Sequence, residues 1–195
     1  MALAQKNRGR SKQMSESRLK KISETAAFKR LRFFDGMSLT PADFQLEQQY
    51  FRAKAKLHNR SLHGFGIISG LKVTVCAGQI VVESGLALDC EGNELVIPTA
   101  QAIVPPTTSD YPTAFVSVRF VEEGVSATEA EEGRTAILTE SFEVTIAPEN
   151  CNRGHRHLRA RWLACGQAHA LTIAKLRRSA HGWRVERGYR PPAIK

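Results

Sequence analysis

Apolar positions along the chain change their period at Gly64. Between Thr40 and Gly64 they recur at helical spacing, and beyond it they come as short alternating or continuous runs. TPADFQLEQQYFRAKAKLHNRSLHG predicts a helix running to about Leu62, with His63 and Gly64 ending it. Thr40 suits the N-cap and Pro41 the first helical position. Asp43 places an acid in the first turn, where the helix dipole favours it. Phe44, Phe51, Ala55, His58 and Leu62 follow one apolar line, and Leu46, Tyr50, Ala53 and Leu57 follow a second. At about 100° per residue, Phe44 and Leu46 point roughly 200° apart. A helix apolar on opposite faces needs two covers, and the expectation is its own sheet on one side and a partner subunit on the other. The oligomer contact is therefore expected at Phe44, Leu46, Tyr50, Phe51, Leu57 and Leu62. Burial of the helix wholly within its own domain is the alternative.

After Gly64 the runs GFGIISGLKVTV, QIVVES, LALD, NELVIP, QAIVP, TAFVSVRFV and SFEVTIAP read as strands, with turn signals at AGQ, SG and CEGN. The predicted class is mainly β, a β-sandwich or open barrel preceded by one amphipathic helix. EEGVSATEAEEGRT, residues 122–135, is acidic and poor in large apolar residues, which predicts a long mobile surface loop. Towards the end ALTIAKLRR predicts a strand, SAHGW a turn and WRVER a last strand, whereas RHLRARWLACGQAHAL leaves a helix open. GYRPPAIK is expected to be extended, because Pro191 and Pro192 cannot join a central ladder. Residues 1–20 have almost nothing to bury and predict disorder until bound. A short helical stretch is expected within SESRLKKISETAAFKRL. The organisation is thus a basic arm (1–32), a helix segment (33–63), a β domain (64–190) and a tail (191–195).

Charge sharpens this division. The net +9 is the sum of +8 over residues 1–32, −9 over residues 33–150 and +10 over residues 151–195. An acidic middle between basic ends suits electrostatic docking, on an acidic neighbour or between copies of the same chain. No long apolar run predicts a membrane span, and no apolar stretch follows the basic N-terminus as in a secretory signal, so a cytoplasmic protein is expected. Cys76, Cys90, Cys151 and Cys165 form no CxxC pair and read as thiols, serving as small buried hydrophobes.

Catalytic patterns are missing from the sequence. It contains no GxGxxG or GxxxxGKS phosphate loop, no HExxH and no GxSxG elbow. HGFGIISG lacks both the lysine and the following helix, so its glycines read as a tight strand entry. Cys151, His155, His157, Cys165 and His169 are zinc-type ligands, but their spacing fits no common module and arginines crowd them. A basic surface strip is the expectation there, with no metal, no cofactor and no catalytic residue. His58 and His63 stand at helical spacing, and His58 reads as a packed core or interface histidine. Nucleic acid is the alternative partner, since Trp162, Trp183 and Tyr189 lie among C-terminal arginines. Against it, no helix-turn-helix, RNP or KH signature is present, and the acidic middle would repel phosphates.

Three segments carry a family resemblance. Phe34–Phe44 has the form aromatic-Asp-Gly-Met-x-Leu-Thr-x-x-Asp-Phe. Leu57–Gly66 reads Leu-His-Asn-Arg-x-Leu-His-Gly-x-Gly, and Ser69–Val73 follows as Ser-Gly-Leu-x-Val. With GLALDCEGNELVIP (85–98), these resemble a family of phage tails and contractile injection systems. A weaker similarity, through the Gly-Met-x-Leu-x-Pro entry, is to the N-terminal shell domain of the type VI secretion baseplate subunit. The resemblance is dense over residues 32–98 and faint afterwards. It implies a structural, non-enzymatic baseplate, collar or fibre-attachment adaptor, oligomeric and often trimeric, working with other particle subunits. In that setting Lys6, Arg8, Arg10, Lys12, Arg18, Lys20 and Lys21 would form an arm that anchors the chain in a neighbouring ring.

Overall fold

The computed structural model describes residues 28–106, 111–126, 135–154 and 170–194. The basic arm positions 6–21, most of the expected early helical stretch, and the segment 155–169 lie outside the described residues. The chain divides into two compact units, Met1–Lys54 and Ala55–Lys195.

In the first unit, residues 28–40 are non-helical and turn at Asp35–Gly36, where the Met37 N–H bonds the Phe34 carbonyl at 3.1 Å. Helix α1 (Pro41–His58) begins where the sequence predicts. Its cap is reciprocal: the Asp43 carboxylate accepts the Thr40 N–H at 2.8 Å and the Thr40 hydroxyl at 2.7 Å, and the Asp43 N–H returns to the Thr40 carbonyl at 3.0 Å. The Thr40 hydroxyl and then its N–H favour the ionised carboxylate, so the Asp43 pKa lies below its ordinary value against a slight opposing effect of burial. A depressed carboxyl pKa stabilises the cap above the free-chain value of about 3.9 and is lost as pH falls through the lower folded value. An NMR titration should place the Asp43 inflection below the ordinary carboxyl value, with Thr40→Val moving it up. An inflection unmoved by that substitution would discard the cap as its cause.

The second unit starts within the last turn of α1, which passes into a π turn at Asn59–His63. The turn closes with the Gly64 N–H on the Asn59 carbonyl at 3.1 Å. Ten strands follow among the described residues, and every paired neighbour is antiparallel. Strands β1 (Gly66–Gly70), β4 (Gly85–Leu88) and β5 (Glu94–Ile97) form one sheet in the order β1-β4-β5. Strands β2 (Val73–Cys76), β3 (Gln79–Val82) and β6 (Gln101–Ile103) form a second, in the order β2-β3-β6. The third holds β7 (Thr113–Ser126), β8 (Thr135–Ala147), β9 (Leu171–Ser179) and β10 (Gly182–Val185), in the order β10-β9-β7-β8. All three sheets meet in one core that includes Leu71, Ile80, Leu95, Val116, Leu176 and Trp183. Period two is clean in β5, where Leu95 and Ile97 are buried and Glu94 and Val96 exposed. The expected mainly β class is the observed one.

Four expectations change in detail. Residues 122–126, expected in a loop, continue β7, with Glu122 opposite Glu140 and Ser126 opposite Thr135. Only residues 127–134 separate the strands. Composition reports what a segment can bury, whereas hairpin pairing needs only backbone groups, so acidic residues can form a strand wherever no core is required. Secondly, no residue of α1 is fully buried, and Leu46, Tyr50 and Leu57 of the second stripe are half-buried. Thirdly, Cys90 is buried but Cys76 is exposed at the end of β2, beside a two-residue turn that faces solvent. Lastly, His58 is exposed, which removes the core reading and leaves the interface one, and its ring lies 5.4 Å from that of the exposed His63.

Two polar devices complete the body. Asn152, in the 3₁₀ turn Cys151–Gly154, treats Thr172 as a ladder partner, accepting its N–H at 3.0 Å and donating to its carbonyl at 2.8 Å. This meets β9 where its register with β7 shifts, between the pairs Ser117–Thr172 and Val116–Ala174. The tail is extended as expected and lies parallel to β1. The Ile67 N–H bonds the Pro192 carbonyl and the Ile194 N–H bonds the Ile67 carbonyl, each at 2.9 Å. Pro192 supplies only an acceptor, which is all that proline has.

Candidate assembly surfaces

Apolar groups on the helix segment are left largely open to solvent. Phe44, Phe51 and Leu62 are 59%, 61% and 64% exposed, whereas Leu46, Tyr50 and Leu57 are half-buried. Within the first unit Tyr50 packs edge-on against Phe28 at 6.3 Å and against Phe51 at 5.3 Å, and the Lys54 ammonium lies 5.1 Å above the Phe28 ring. The candidate contact residues thus split between the units, with Phe44, Leu46, Tyr50 and Phe51 in the first and Leu57 and Leu62 in the second.

The residues that carry the family resemblance have a second, structural role that the sequence alone does not disclose. Asn59 and Arg60, in the π turn, reach the β4–β5 connection. The Asn59 amide donates to the Gly92 carbonyl at 3.0 Å and to Glu94 Oε1 at 3.3 Å, and Arg60 Nη1 donates to the Glu91 carbonyl at 3.3 Å. Partial burial lowers the Arg60 pKa, which the Glu91 carboxylate opposes. The connection is itself wound around Asp89, which accepts the N–H groups of Glu91 (2.8 Å) and Asn93 (2.9 Å) and the Asn93 amide (2.7 Å). The Leu-His-Asn-Arg and Leu-Asp-x-x-Gly-Asn segments are therefore two halves of one clamp. The signal available in sequence is the Asp-x-x-Gly-Asn spacing, which marks a side-chain-wound turn but not its helical partner.

No cluster of three or more metal-ligating side chains occurs among the described residues, and of the expected Cys/His group only Cys151 is described. No helix among the described residues is long and apolar enough to cross a membrane.

No protein-family model and no curated protein sequence matches the chain. Solved structures do. The chain is similar to the baseplate complex from the type VI secretion system, with a TM-score of 0.55 and 14% identity over 85% of this chain and 42% of that one. The type VI secretion system TssK-TssF-TssG baseplate subcomplex gives a TM-score of 0.54 at 14% identity, over 86% of this chain and 62% of that one. TssK alone gives 0.50 at 14% identity, over 86% of this chain and 42% of that one. The chain therefore spans 42% to 62% of the length of these proteins. It has the fold of type VI secretion baseplate proteins, as the Gly-Met-x-Leu-x-Pro entry leads one to expect.

Proposed function

We propose that the chain is a non-enzymatic structural subunit of a baseplate-type particle, an adaptor in a phage-tail-like or contractile injection assembly. The observation that carries this reading is the fold shared with type VI secretion baseplate proteins over 85% of the chain. In this reading copies associate through the helix segment, as a trimer, and the basic arm with Lys6, Arg8, Arg10, Lys12, Arg18, Lys20 and Lys21 anchors the assembly to a neighbouring subunit. The exposure of Phe44, Phe51 and Leu62 supports the helix contact, since burying each contributes about 1.5–3 kcal/mol.

Light scattering coupled to gel filtration tests both parts. Tyr50→Glu combined with Leu57→Glu is expected to leave the fold intact, because both side chains are only half-buried and lie outside the β core. It should weaken self-association about a hundredfold, from roughly 3 kcal/mol for charges forced into an apolar contact. Removing residues 1–30 should leave the number of copies in the oligomer unchanged and abolish co-purification with particle proteins. A wild-type monomer at every salt concentration, or a doubly substituted chain of unchanged mass, would refute the helix contact. A truncated chain that still joins the particle would refute the arm.

A further inference from the structure

His58 and His63 take no part in the clamp formed around the π turn. Asn59 and Arg60 reach the β4–β5 connection, whereas both imidazoles are exposed to solvent. Neither ring has a hydrogen-bond partner among the described residues. Their centres nevertheless lie 5.4 Å apart, with an interplanar angle of 58°. In a continued α-helix, five residues advance about 500°, which would set the two side chains roughly 140° apart. The π turn removes that offset. Its i→i+5 bond, from the Gly64 N–H to the Asn59 carbonyl, brings positions five apart onto one face. Single π turns recur at functional sites, and this one gathers two side chains of the same chemistry.

A neutral imidazole offers one nitrogen lone pair. Two of them side by side can share an electron-pair acceptor, and imidazole nitrogens are ligands for zinc, copper, iron and nickel. The spacing narrows the choice. A zinc ion held at about 2.0–2.1 Å by one nitrogen of each ring would sit about 3.2 Å from each ring centre. Centres 5.4 Å apart then subtend about 115° at the metal, close to the tetrahedral angle that zinc adopts. A tetragonal ion such as copper, with ligands about 90° apart, would draw the centres in to about 4.5 Å.

We infer that His58 and His63 chelate one zinc-class divalent ion across the π turn. Each chain supplies two of the four ligands such an ion takes, and exposure of both rings leaves the other two positions to water. The nearby Arg60 does not oppose the ion strongly, because its guanidinium donates to the Glu91 carbonyl and is balanced by the Glu91 carboxylate. Bound there, the ion ties the last residue of α1 to the last residue of the turn. It thereby resists opening of the Gly64 hydrogen bond and stiffens the passage from the helix into the β strands. The site is separate from the helix contact proposed above and does not depend on it.

Calorimetric titration of the full chain with zinc chloride tests this, beside the same titration of His58→Gln, His63→Gln and the double variant. Both side chains are exposed, so the substitutions leave the fold unaltered. The variants also separate this pair from the cysteines and histidines of 151–169. A zinc site is expected that each single substitution weakens at least tenfold, since losing a ligand costs no less than losing a group that orients one. Hydrogen exchange gives a second readout at the Gly64 amide. With zinc at ten times its dissociation constant, exchange there should slow about tenfold in the wild type and stay unchanged in the variants. Magnesium, which prefers oxygen ligands, should move neither readout. Zinc binding retained in full by the double variant overturns the inference and assigns the metal to another group. Weakening by only one of the two substitutions also overturns it, because a single-histidine contact is not a chelate. A wild-type chain that binds no zinc does the same.

Discussion

Replacing Gly92 by alanine should lower the stability of the second unit by about 3–5 kcal/mol in urea denaturation, from positive-φ strain plus overpacking. A Cβ at this position would stand 2.3 Å from the Lys56 carbonyl oxygen and 3.0 Å from the Lys56 Cα, and φ is +88°. The obstructing atoms belong to the backbone of the last turn of α1, so no rotamer change relieves the overlap. Either the β4–β5 connection shifts and loses the Asn59 and Arg60 hydrogen bonds, or the helix end unwinds. Gly78→Ala separates the two contributions. Gly78 also has a positive φ, +78°, but nothing lies within 4 Å of its added Cβ. It should cost only about 1 kcal/mol. Equal losses at the two sites would show that helix proximity contributes nothing.

Removing the Asp89 carboxylate comes next in size. Asp89→Ala is expected to cost about 2–4 kcal/mol, because three donors lose their acceptor in a site where Asp89 is 4% exposed and Asn93 8%. Asp89→Asn preserves the acceptor for the two backbone N–H groups, both held by Oδ1, and turns an amide towards the Asn93 amide in place of Oδ2. About half the loss is expected for it. Denaturant midpoints that rank the asparagine variant below the alanine variant would contradict this picture. Because Asp89 and Gly92 shape one turn, the double variant should lose less than the two single losses together.

These residues also show how far sequence reasoning reaches. The N-cap at Thr40, the helix and the β5 alternation were legible because each depends on neighbours within one turn or one pleat. The acidic stretch 122–126 was not, since its strand identity comes from pairing with residues 135–140 across a hairpin and not from burial. Apolar spacing identified Phe44, Phe51 and Leu62 as a line, but spacing cannot report which of two faces acquires a cover. The clamp escaped for another reason: Asn59 and Gly92 are remote in sequence, and an asparagine carries no periodic signal. Similarly, counting arginines reveals a basic end, whereas the β9–β10 register is needed to set Arg177 against Arg184.

The tail beside β1 bears on the order of folding. Ile67 belongs to the first strand, yet its backbone partners, Pro192 and Ile194, are made after every other strand. A growing chain on the ribosome therefore carries one incomplete sheet edge throughout synthesis of this body. Closing it brings together segments of very large sequence separation, which slows folding relative to helical domains of equal size. Until that closure, the open edge of β1 is one place where nascent chains of this protein would pair wrongly with one another.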